Sequence, residues 1–357
     1  MDSIVPRFTA GIDVGDRESH LCVLDGEGNI ERRDQFPTSR AGVVGAFEDF
    51  DEEPIRVVLE VGTHSPWMHE VLVDLGHEVI VANARELALI AQNDKKNDRN
   101  DAELLARLGR VDPKLLAPIW HRPKEHRKAL ALLRTRDALV RSRTILINNV
   151  RALVKTNGGR LPKMSSETFA KKVKELLPKD LLKIAKGVLR SISSATEEIR
   201  KYDKAITRLG KKVFPETEVL QQVHGVGPVT ALAYRLTISD PRRFKKSRTV
   251  GPYLGLTRRQ QQSGHDPELR ISKCGDGFVR RLLVGSAHCI LRGGAPDSDL
   301  RRWGRAIYAR GGRNAKKRAV VAVARKLAVL LHRLWVTGEV YEPLRNAARA
   351  TPVVPRN

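Results

Sequence analysis

The chain has 357 residues, 41% of them hydrophobic, enough for two or three domains with real cores. Its formal net charge of +24 points to a polyanionic partner. Residues 1–119 carry 23 acidic and 13 basic side chains, about −10, which leaves about +34 on the rest. That split excludes a uniformly charged ribosomal-type protein and separates an acidic module from a basic remainder. Cys22, Cys274 and Cys289 have no metal or redox spacing, so free thiols are expected. The apolar run near Val320–Trp335 contains Arg325, Lys326, His332 and Arg333, too much charge for a membrane span. With no apolar signal core at the N-terminus, the expected location is cytoplasmic.

Residues 8–14, His20–Leu24 and Ile30–Phe36 read as a three-stranded meander with Asp13 in its first strand. A helix is predicted over 41–50, a strand over 55–60, a helix over Pro66–Leu75 and a strand over His77–Ala82. This order predicts a mixed sheet with helices packed on it. Asp13 and Glu60 fall where a strand gives way to a loop, the edge where α/β sheets gather their sites.

Residues 95–108 predict an amphipathic helix start, with Asn97 or Asp98 as N-cap. Asp98 and Asp101 are three apart, so their side chains share a face near the positive end of the helix dipole. A capped, solvated helix start would look the same. Together, Asp13, Glu60, Asp98 and Asp101 form a carboxylate set that could not gather ionised without a cation. All-oxygen ligands suit Mg²⁺ or Mn²⁺, and paired ions clamp both oxygens of a phosphodiester displacement.

Gly-Ile-Asp-Val at 11–14, Leu-Glu-Val-Gly at 59–62 and Asn-Asp-Arg-Asn-Asp-Ala at 97–102 resemble the D-E-D-D signature of the "one-ten" insertion-sequence transposases. These are bridge-RNA-guided recombinases whose N-terminal domain is similar to Holliday-junction resolvases. The resemblance implies a ribonuclease-H-like domain over 1–119, with the four carboxylates as metal ligands and Lys96 just upstream of the third. It also implies donor and target DNA, a structured guide RNA and a homodimer or higher oligomer as partners.

Apolar residues recur at helical spacing over 120–212, from Leu130 through Ile147 and Leu189 to Leu209, with Pro123 suited to a start and Asn157-Gly158-Gly159 to a stop. Long helices result, which could pair between chains as a coiled coil or fold back within one. In the family this stretch is a coiled-coil dimerisation insert.

Pro215 opens the module over 213–345, in which Val223-His224-Gly225-Val226-Gly227-Pro228 has the form of a helix-hairpin-helix turn whose glycines would let backbone N–H groups meet a phosphate. A plain tight turn is the alternative. Arg242, Arg243, Lys245, Lys246 and Arg248 follow closely and favour nucleic acid. Residues 252–283, with Tyr-Leu-Gly-Leu, Ser-Gly and Ile-Ser-Lys-Cys-Gly, resemble the family's C-terminal transposase domain. The resemblance assigns the nucleophilic serine to Ser263; read from the residues alone, Ser263-Gly264 is a turn and nothing more, and Ser272, in an equally polar and basic loop, is the second choice. His265, Arg259, Arg270 and Lys273 are nearby candidates to activate it or hold phosphate. The chain has Asp276 where the family usually has Asn. Helices are predicted over Asp299–Arg310 and Asn314–Val336 with a break at Gly311-Gly312, then a basic tail over 346–357.

The whole predicts an α/β domain, a helical insert and a mainly helical C-terminal domain: a DNA transposase acting through a serine assisted by metal-bound carboxylates. The alternatives are a junction-resolvase-like nuclease without a covalent intermediate, an actin-like ATPase or sugar kinase, and a non-catalytic nucleic-acid scaffold. Gly11-Ile12-Asp13-Val14-Gly15 resembles a first phosphate loop, but a second convincing one is lacking.

Overall fold

The computed structural model describes residues 7–50, 53–83, 98–259 and 270–346, with the side chains of 98 and 99 outside the description. It divides into two compact units between Arg122 and Pro123.

The first unit is built on a mixed five-stranded sheet. Strands β1 (Thr9–Asp13), β2 (Glu18–Leu24) and β3 (Ile30–Pro37) form the predicted antiparallel meander. Strands β4 (Arg56–Glu60) and β5 (Glu78–Ala82) add in parallel, giving the order β3-β2-β1-β4-β5. Ile119 bridges Val81, so the chain returns to the sheet before leaving the unit.

Helices α1 (Arg40–Phe47) and α2 (Ser65–Asp74) bury Val43, Phe47, Met68 and Leu72 against Ile12, Val57 and Leu59 on one face. Ser39 caps α1, its Oγ accepting from the Gly42 amide at 3.0 Å. Helix α3 (Asp98–Val111) covers the other face, where Leu105 joins Val58 and Ile80, and Ala102 and Ala106 join Cys22 and Leu24. Burial on both faces explains why β1 and β4 are nearly continuous apolar runs.

In the second unit, helices α4 (Lys124–Thr156) and α6 (Lys179–Val213) pack on each other within the chain. Pro123 stands at the start of α4, and Leu177-Pro178 separates α6 from the short α5 (Phe169–Leu176). Away from the chain ends, Ile147, Val150, Phe169, Val173, Leu189 and Ile192 make a core of their own. The roots of the pair, through Ala129, Leu130, Leu133 and Ile206, belong instead to the C-terminal core. Arg143 is buried between the two cores, bonded to Thr196 Oγ1 at 3.3 Å and Glu167 at 3.4 Å.

The C-terminal core gathers α7 (Thr217–Gln221), α8 (Pro228–Ile238), α9 (Val250–Tyr253), α10 (Gly277–Leu291), α11 (Asp299–Ala309) and α12 (Ala315–Thr337). At its centre Tyr234 is fully buried and donates to Ala328 O at 2.6 Å; burial pushes its phenol pKa well above the usual value. No helix among the described residues is long and apolar enough to cross a membrane.

Candidate functional site

Asp13 is the last residue of β1 and Glu60 the last of β4. The parallel register Ile12↔Leu59 makes them neighbours on the carboxyl edge of the sheet, both half-buried. Helix α3 fixes the other two positions. A Cβ on Gly11 would lie 2.1 Å from Ala102 O and 2.5 Å from Ala106 N, so α3 rests directly on β1. Farther along, a Cβ on Gly109 would lie 2.3 Å from Val58 Cγ2 and 3.5 Å from Thr9 Cγ2. Buried Arg56, at the start of β4, bonds Gly109 O at 3.1 Å and Glu78 Oε2 at 3.0 Å. The helix therefore runs back from the carboxyl end of β1 toward its amino end. Its first turn, with Asp98 and Asp101, starts at the edge occupied by Asp13 and Glu60.

Asp101 is half-buried, while the side chain of Asp98, like all of Lys96, lies outside the described residues. Among the described residues, no group of three or more His, Cys, Asp or Glu side chains is placed to hold a metal ion. As residue types, the four offer carboxylate oxygen alone, which suits Mg²⁺ or Mn²⁺ and not softer ions.

The same edge holds a pair that the sequence reading missed. His64 Nε2 lies 3.1 Å from Asp16 Oδ1, joining the loop after β4 to the loop after β1. Trp67 Nε1 donates to His64 Nδ1 at 3.1 Å, so the histidine proton sits on Nε2 and is given to Asp16. Residues 48 apart make this contact, and no local spacing announces it.

In the C-terminal module, Gly225 has φ +86 and a Cβ there would meet Ser286 O at 2.9 Å, so this glycine serves close packing on α10. Gly227 is the N-cap of α8, with open space where a Cβ would stand. Arg242, Arg243, Lys245 and Lys246 are exposed. Arg242 also reaches Asp240, whose carboxyl is held below its usual range by the Arg242 backbone amide and then by its guanidinium. Arg243 lies over the rings of Phe244 and Tyr253, at 5.8 and 5.6 Å. Behind this basic run, His332 is buried on α12. It donates from Nε2 to Pro241 O and faces Ser247 Oγ through Nδ1, both at 2.9 Å.

Ser263, with Gly264 and His265, lies outside the described residues, but the chain up to Arg259 and from Arg270 onward is described. Arg258 bridges Ile271, Arg259 N donates to Arg270 O at 3.2 Å, and Ser272 N donates to Thr257 O at 2.8 Å. Arg259, Arg270 and Lys273 are exposed beside these contacts, and Ser272 is half-buried. Lys273 itself has φ +57. Arg280 of α10, also missed by the sequence reading, donates to Leu254 O at 2.9 Å and Cys274 O at 2.8 Å, tying the two sides together. Asp276 caps α10 through Phe278 N at 2.8 Å, and its other oxygen faces Arg134 of α4 at 3.6 Å. An asparagine there would keep the cap and lose the charge.

A family model for a DEDD transposase of the IS110 type, described as "Transposase", matches residues 10–157. A second, described as "Transposase IS116/IS110/IS902 family", matches residues 217–300. The transposase for insertion sequence element IS1111A of Coxiella burnetii is 27% identical over 345 residues, covering 93% of this chain and 90% of its own. The probable family 20 transposase of Pseudomonas aeruginosa is 29% identical over 346 residues, covering 93% and 98%. The transposase for insertion sequence element IS1328 of Yersinia enterocolitica is 26% identical over 297 residues, covering 81% and 85%. Both matched regions occur in order, the first holding the four carboxylates and the second Ser263, and the chain belongs to the IS110-type insertion-sequence transposases.

Proposed function

We propose that this transposase exchanges DNA strands through a covalent serine intermediate, with a structured guide RNA choosing the sites. Asp13, Glu60, Asp98 and Asp101 would hold Mg²⁺ or Mn²⁺, which when bound neutralises phosphate charge and stabilises a departing oxygen. The reading is supported above all by the shared sheet edge of Asp13, Glu60 and the first turn of α3. The mixed sheet covered on both faces is compatible with a ribonuclease-H-like domain.

In the chemical step, the Ser263 Oγ–phosphorus bond forms as the strand's phosphorus–oxygen bond breaks. The serine proton passes to a base, for which His265 is the nearest candidate in sequence, and the departing oxygen gains a proton. Arg259, Arg270 and Lys273, on either side of the serine in the chain, would hold the scissile backbone. Attack by the hydroxyl of a second strand restores the serine, so exchange needs no nucleotide hydrolysis.

Self-association is part of the proposal. Ile145, Leu176 and Ile184 on the helical pair are 67%, 51% and 66% exposed, apolar surface that a second chain could cover.

Three measurements test the reading. Asp98→Asn should lower strand cleavage by on the order of a hundredfold or more with the fold intact. Ser263→Ala should lose both exchange and the covalent protein–DNA adduct while still binding RNA. Sequencing of copurifying RNA should return one structured species encoded beside the gene. Full exchange by Ser263→Ala would remove the serine and leave a metal-dependent nuclease, and sequence-specific duplex binding without RNA would remove the guide.

A further inference from the structure

The C-terminal module turns back between α11 and α12 through Gly311 and Gly312, at a cationic surface that the proposed strand exchange does not use. Arg305, Arg310, Arg313, Lys316, Lys317 and Arg318 are all exposed, and the sequence has no carboxylate between Asp299 and Glu339. The ion pairs described nearby engage Arg302, Arg333 and Arg345 instead. Lys316, Lys317 and Arg318 occupy the first turn of α12, where the helix dipole is already positive and no acidic residue offsets them. This concentration of like charge costs the free protein stability, and a polyanion would relieve it. Arg318 Nη2 donates to Gly311 O at 2.6 Å and so fixes the turn itself.

Tyr308 stands amid these cations. It follows Arg305 by three residues on α11, hence on the same face, and it is 55% exposed. The other four tyrosines are buried or half-buried. Cations around an exposed ring suit a strand whose phosphates need neutralising and whose bases are free to stack. A duplex offers the phosphates but keeps its base faces stacked on one another.

We propose that the α11–α12 turn binds single-stranded DNA, with Tyr308 stacked on an unpaired base and the surrounding Arg and Lys on the backbone. DNA is favoured over RNA by the reaction of the family, and by composition. Between Arg301 and Arg318 only Asn314 carries an uncharged amide or aliphatic hydroxyl, so little there could select a ribose 2′-hydroxyl. The site needs neither the carboxylates nor Ser263, so it stands or falls separately from the proposed chemistry.

The test is fluorescence anisotropy with the full chain and labelled oligothymidylate of about 15 nucleotides, beside oligouridylate and a hairpin duplex. Tyr308→Ala should weaken oligothymidylate binding roughly tenfold with the salt slope unchanged. Tyr308→Phe should bind like the parent, because the ring does the stacking. Arg310→Gln combined with Arg313→Gln should lower the salt slope by about 0.7 for each phosphate no longer neutralised. An oligothymidylate carrying 5-iododeoxyuridine should crosslink to the peptide containing Tyr308. Unchanged binding by Tyr308→Ala, or a crosslink that maps elsewhere, overturns the site. Tighter binding of oligouridylate or duplex that depends on Tyr308 overturns its assignment to single-stranded DNA.

Discussion

Glu103 pairs with two guanidiniums at once, Arg107 one turn along α3 and Arg33 on β3. The Arg107 hydrogen bond is the main reason its carboxyl is held below the usual range, with the charges of Arg107 and Arg33 adding to it. A depressed carboxyl stabilises the fold above its unfolded value, near about 4.3, and loses that contribution as pH falls through the folded value. Glu103→Gln should therefore cost about 1 kcal/mol at neutral pH, and the gap to the parent should close below about pH 4. Urea unfolding of both proteins at a series of pH values measures this, and a gap that persists in acid would refute the assignment. Cys22 lies against the same helix, where burial pushes its thiol pKa up.

At the scale of elements, the site depends on how closely α3 lies on β1. Gly11→Ala would put a methyl group where Ala102 O and Ala106 N already stand, so the helix must move. Overpacking of this kind costs about 1–3 kcal/mol. A displacement near 1 Å at the first turn of α3 should cost on the order of a hundredfold in activity. The expected outcome is a folded protein, modestly destabilised in thermal melting, with strand cleavage lost well beyond that destabilisation; parent-like cleavage would mean that the seating of α3 does not set the site. The strands of this unit were legible because Gly11–Val14 and Ile55–Leu59 are short apolar runs that contain or lead into a carboxylate. The long helices were legible from their periodicity. That α3 crosses β1 with its first turn at the carboxyl edge was not legible, since Gly11 and Gly109 are silent about which backbone they admit. His64 with Asp16, Arg280 with Leu254 and His332 with Ser247 were invisible for a related reason. These contacts join residues 48, 26 and 85 apart, and no local pattern encodes them.

On the scale of the molecule, the carboxylates belong to the first unit and the residues flanking Ser263 to the second. Chemistry that needs both draws on residues of both units, either of one chain or of two. The proposed dimer allows the second route, with the serine of one chain meeting the carboxylates of its partner. The two routes differ in what happens when defects are mixed. A Ser263→Ala chain keeps its carboxylates and lacks the nucleophile, while an Asp13→Ala chain keeps the nucleophile and lacks one carboxylate. If sites form within chains, each mixed dimer holds two broken sites. If they form between chains, each mixed dimer holds one site with both defects and one with none. Mixing the two inactive proteins should then restore part of the parent's exchange and of its covalent adduct. The adduct should appear only on the Asp13→Ala chain, which can be followed by giving that chain a size tag. Adduct on that chain with exchange restored supports the composite site; an absence of any rescue, with heterodimers verified by the tag, places serine and carboxylates in one chain.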